Sequence, residues 1–150
     1  MRVFKIVVLV LCVFIGMGSA SIVQAGPVEN GIAWLNANQN PAGFWGGAAT
    51  AITTAYHSTS VVAETFQYLR IADGNLTSAI AWLSAQDTPT VDYLSRQIEV
   101  LAQAGIDVTE KVNTLLSFRQ SDWGWGIDAD GASDVLDTLL AERALRVETD

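Results

Sequence analysis

Apolar residues recur at helical spacing in six stretches of the chain, and no segment alternates apolar and polar positions with a period of two. The first runs from about Val28 to Gln39, with Val28, Ile32 and Leu35 at i, i+4 and i+7; Pro41 and Gly43 forbid its continuation. A loop rich in Gly, Ala and Thr follows to about Thr54. A second helix is expected from about Thr59 to Ile71, with Val61, Val62, Thr65, Phe66 and Leu69 on one face and Gly74 just past its end. Asn75 or Thr77 caps a third, which carries Ile80, Trp82 and Leu83 and ends near Gln86. Thr88-Pro89 turns the chain into a fourth, with Leu94, Ile98, Leu101 and Ala102, closed by Gly105. Asp107 with Glu110 reads as a capping box for a fifth, whose stripe is Val112, Leu115 and Leu116. Ser133 caps a sixth with Val135, Leu136, Leu139 and Leu140. The pattern predicts an all-α fold.

Two features recur through these helices and define an internal repeat. Odd helices end in an aromatic or aliphatic pair followed by Gln: Trp34-Leu35 with Gln39, Trp82-Leu83 with Gln86, Leu115-Leu116 with Gln120. Even helices carry a hydroxyl and a Glu four residues later: Ser60 with Glu64, Ser95 with Glu99, Thr138 with Glu142. The connection is long in the first and third units and short in the second, which lacks a Gly-x-Trp segment. The reading is three helical hairpins.

The stretch Trp34-Leu35, Gln39, Gly43, Trp45 resembles the Gln-Trp repeat of the terpenoid cyclase and protein prenyltransferase superfamily, filling each of its positions. In that family the Gln lies against the indole and bonds the end of a neighbouring helix, clamping the outer ring of an α/α toroid. The resemblance implies clamps from Trp34, Gln39, Gly43 and Trp45 and from Gln120, Gly124 and Trp125, and none from Gln86. With three hairpins it implies an arc of a toroid rather than a closed ring. Such an arc leaves apolar edges that pair with a second copy or another chain, or that a longer protein covers.

The family's catalytic signatures narrow the functional reading. Its cyclases use the middle acid of Asp-x-Asp-Asp, and the nearest stretch here is Asp128-Ala129-Asp130-Gly131. Its zinc enzymes and its thioester relatives need a Cys. The single Cys of this chain, Cys12, lies in an N-terminal segment that reads as a secretory signal peptide: Arg2 and Lys5, an apolar run from Ile6 to Ile15, and cleavage expected after Ala25. An uncleaved anchor is the competing reading. Cleavage would leave a secreted or periplasmic domain of residues 26–150 with no thiol and a net charge of −10, six basic against sixteen acidic residues. So acidic a domain does not seek nucleic acid.

Five carboxylates between Asp122 and Asp137 form the densest chemical feature. Asp122, Asp128, Asp130 and Asp134 fit either a calcium loop or a turn followed by acidic residues favoured at a helix start. No other cofactor is expected. His57, the only histidine, reads as a residue of a helix start. The tryptophans and tyrosines read as core by default and otherwise as the lining of an apolar or sugar-binding groove. The expectation is an exported, non-catalytic repeat module that binds a protein, isoprenoid or glycan partner, or itself. The alternative is an enzyme remnant, cyclase-like or polysaccharide-degrading.

Overall fold

The computed structural model describes residues 26–48 and 54–147. The expected signal segment, Cys12 and the cleavage point after Ala25 lie outside the described residues. Six helices form, α1 (Pro27–Ala37), α2 (Ala55–Tyr68), α3 (Gly74–Ser84), α4 (Val91–Gln103), α5 (Thr109–Ser117) and α6 (Val135–Val147). Among the described residues there is no strand, only an isolated bridge between Trp125 and Asp134.

Acidic and hydroxyl side chains bond the first turns of α2, α3, α5 and α6, at positions that differ from those expected. Thr54 opens α2 earlier than periodicity suggests by accepting the His57 N–H at 3.1 Å. Asp73, rather than Asn75 or Thr77, opens α3 by accepting the Leu76 N–H at 2.9 Å. The Asn75 amide instead donates to the Leu35-side neighbour Asn36, at its carbonyl, 3.0 Å away. Asp107 accepts from both the N–H and the hydroxyl of Thr109, an Asx turn in place of the expected capping box. At α6 the cap is Asp134, which accepts from Leu136 and Asp137 N–H at 2.8 and 3.0 Å. Ser133, the expected cap, donates to Asp122.

Two helix ends share one geometry. After α2, Arg70 takes a left-handed φ of 57° and Ile71 N–H reaches back to Phe66 O at 2.8 Å. After α4, Gly105 takes 74° and Ile106 N–H reaches Leu101 O at 3.0 Å. Gly74, expected as the stop of α2, is the first residue of α3. These matching ends put α2 and α4 in register, so Ser60 corresponds to Ser95 and Glu64 to Glu99.

Helix α4 packs against α2 on one side and α6 on the other, while α3 lies against α2 and α4, and α5 against α4 and α6. Eight of its residues are buried. Two apolar clusters result. One gathers Trp45, Ala63, Phe66, Leu83 and Val100; the other gathers Val91, Ile98, Leu115, Trp125 and Ala144. Ile80 of α3 touches both. Helix α1 buries no residue fully, and Val135, Leu136 and Leu139 of the sixth apolar stripe face solvent, leaving Leu140 inside.

Candidate functional site

An odd helix that stops and reverses leaves carbonyls with no intrahelical donor. In this chain one carbonyl of that last turn in each unit takes a backbone N–H from three residues on and accepts a side-chain N–H as well. The Trp45 indole donates to Leu35 O at 2.7 Å, and the Trp125 indole donates to Leu115 O at 2.8 Å. In the second unit, which has no such Trp, the fully buried amide of Gln97 donates to Leu83 O at 2.6 Å and to Gln86 O at 3.0 Å. Gln86 itself turns back on its own helix, to Trp82 O. Each indole plug is then held from the next even helix: Trp45 N–H donates to the Thr59 hydroxyl at 2.9 Å, and Trp125 N–H to the Thr138 hydroxyl at 3.0 Å.

Gln39 ties the first turn to α3, donating to Gly43 O at 2.9 Å and Asn75 O at 2.8 Å. Gly43 has a φ of 98°, and a Cβ there would stand 2.5 Å from the Ser78 carbonyl oxygen. Trp34 does not join this packing and is 63% exposed. The third turn follows the first in hydrogen bonding, with Asn40 N–H to Phe44 O matched by Gln120 N–H to Gly124 O. That pairing moves the register by one residue from the one read by residue type. Asn40 corresponds to Gln120, Gln39 to Arg119, Gly43 to Trp123 and Phe44 to Gly124. Gln120 donates locally, to Phe118 O and Ala129 O. Gly124 is small because Ser133 Cβ would lie 2.7 Å from its Cβ.

The same correction applies to the even helices. Thr138 matches Thr59 by its bond to the plug, so the residue corresponding to Glu64 and Glu99 is Arg143, not Glu142. A charged row therefore crosses three helices. Arg96 of α4 bonds Asp92 at 2.6 Å and lies 3.6 Å from Glu64 of α2, while Arg143 of α6 pairs with Glu99 of α4. Burial pushes the Glu99 carboxyl above its ordinary range despite Arg143, with Glu64 adding to the rise.

The acidic stretch does not gather into a cage. Among the described residues no group of three or more His, Cys, Asp or Glu side chains is placed to hold a metal. Asp122 accepts from Gly124 N–H and the Ser133 hydroxyl, Asp128 from Asp130 N–H, and Asp134 caps α6. These bonds hold Asp122 and Asp134 below the usual carboxylate range. Asp137 goes the other way: burial, then the Asp134 carboxyl beside it, push it up to about 6. Sequence reading gave no sign of this, since burial of Asp137 depends on α4 and α6 meeting.

Among the described residues α6 leaves an open edge. Val135 is 78% exposed although its counterpart Val91 on α4 is fully buried, and a hollow of about 390 Å³ lies beside it, lined by Ser133, Asp134, Thr138 and Leu139. His57 N–H serves the start of α2. No family model matches the chain, and no curated protein and no solved structure matches it.

Four outcomes are expected. Trp45→Ala should cost about 3–5 kcal/mol by cavity formation, and Gln97→Leu about 1–3 kcal/mol by removing the two hydrogen bonds that join α4 to the end of α3; denaturant midpoints equal to wild type would refute the plug. Asp137 has a folded pKa above its unfolded one, so its contribution is present at acid pH and is lost as pH rises from about 4 to about 6. The stability of wild type minus that of Asp137→Asn should accordingly fall across that window, as read from melting midpoints at a pH series. With its carboxylates engaged in turns, the protein should melt at the same temperature in excess calcium and in chelator.

Proposed function

We propose that the chain is an exported, non-catalytic helical-repeat module, an arc of an α/α toroid of the terpenoid cyclase kind, that associates through the edge formed by α6. The observation that carries this is the contrast between register-equivalent faces. Val91 and Ser95 of α4 are completely covered, whereas Val135 and Leu139 of α6, at the corresponding positions, are 78% and 59% exposed. Leu136 between them is exposed as well. Three large apolar side chains on one short surface favour association. The alternation of even helices packed on each other with odd helices outside them supports the toroid reading, as do the paired indole plugs. A second copy of the chain is the first partner to test, since closed symmetric pairs are the commonest assemblies.

Light scattering after size exclusion, on residues 26–150 over a wide concentration range, tests this. Wild type should gain mass with concentration, and Leu136→Glu with Leu139→Glu should stay monomeric with an unchanged helical spectrum. A wild type that is monomeric throughout would refute self-association by this edge.

A further inference from the structure

Trp123 stands where the first unit has Gly43, and it keeps that position's left-handed backbone, with a φ of 74°. An L residue with a bulky side chain is strained there. The ring gains little in return: it is 71% exposed, and the Arg119 guanidinium stacks 4.4 Å from the ring centroid. A stacked cation at an exposed site is weak compensation for a left-handed backbone. Glycine would serve the turn better.

Nor is Trp123 suited to being covered by another repeat. In the first unit α3 lies so close to the turn that even a Cβ at Gly43 would collide with the Ser78 carbonyl. A hairpin docked on the third turn in that way would meet the whole Trp123 side chain. The ring thus blocks continuation of the array at this turn and stays in solvent.

We infer that the outer face of Trp123 is a binding platform for a neutral pyranose unit of a glycan, with Arg119 backing the ring. Arg119 occupies one face, and the exposure of the residue leaves the other open. The flat face of a pyranose presents several C–H groups with slight positive charge, which suit the negative face of an indole. A shallow hollow of about 250 Å³ lies beside the ring, and Gln120 and Ser121 in its lining are polar neighbours for ring hydroxyls. A protein partner would favour a wider apolar surround, and among the described residues lining this hollow Leu116, 39% exposed, is the one aliphatic side chain. Anionic sugars are disfavoured by Asp122, next in sequence, in a strongly acidic chain. This inference does not depend on the α6 edge.

The test is titration of residues 26–150 with chitotriose, cellotriose, maltotriose and mannotriose, followed by tryptophan fluorescence and calorimetry. At least one sugar should bind saturably, with a Kd in about the millimolar range expected of one stacked ring. Trp123→Gly should weaken it about tenfold or more while its melting midpoint stays at or above wild type, because the strain is relieved. Trp34→Ala, which removes another exposed indole, should bind as wild type does. The inference is overturned if no sugar of the four saturates, if Trp34→Ala loses binding equally, or if Trp123→Gly melts well below wild type. Saturation by a proline-rich peptide in place of the sugars would also overturn it.

Discussion

A helix-end carbonyl met by a buried side-chain N–H is the interaction on which the rest of this structure depends. Leu35, Leu83 and Leu115 each lie in the last turn of a helix, where the chain must turn back, and each carbonyl takes a backbone N–H from three residues on and a side-chain N–H on its second lone pair. The donor is an indole twice and an amide once. When it is an indole, a long turn has to carry the ring back to the helix it left, and the same ring supplies much of the local core, as Trp45 does edge-on to Phe66 at 5.8 Å. When it is Gln97, the donor comes from the next helix, so the second unit dispenses with the turn and its connection is short. One physical requirement thus has two solutions, and the irregular spacing of the repeat follows from which is used.

Charge organises the seam between the even helices where apolar packing leaves off. Asp92, Arg96 and Glu64 join α2 to α4, and Glu99 with Arg143 joins α4 to α6. Such pairs fix the relative positions of the helices more than they stabilise them, since taking each ion from water offsets most of the attraction. The exchange of Glu for Arg at the α6 position of the row gives Glu99 a partner that a third Glu would deny it.

Helix number and type were legible because stop signals are local: Pro41, Gly43 and Gly105 interrupt apolar periodicity that any helix would show. The indoles at 45 and 125 could be found because they sit at a recognisable distance past a helix end. Register was not legible. Reading by residue type pairs Gln39 with Gln120 and Glu99 with Glu142, whereas hydrogen bonding pairs them with Arg119 and Arg143. A one-residue difference in turn length leaves no mark on composition. Gln97 was invisible for another reason: its partners are on α3 and the turn that follows, and a buried Gln in a helix has no local signature. Asp73 was passed over as a cap because Asn75 and Thr77 are equally good caps one turn away, and only packing against α1 decides between them. The acidic stretch fits either a cation loop or a turn because the two draw on the same residues.

The shared position of α4 has a consequence for how the protein is made. Residues of the first cluster end at Val100, so that half of the core is complete once α4 has been synthesised. The second cluster uses other residues of the same helix, and these are fully covered only after α5, Trp125 and α6 have arrived. Even the first N–H of α4, on Val91, is bonded to Ile127 O at 2.9 Å, far ahead in the chain. A growing polypeptide therefore passes through a stage in which half the core is closed and Leu94, Ile98 and Leu101 are still uncovered. For a chain delivered from one end, that interval is when it is most open to capture by a chaperone or to mispairing with a neighbour.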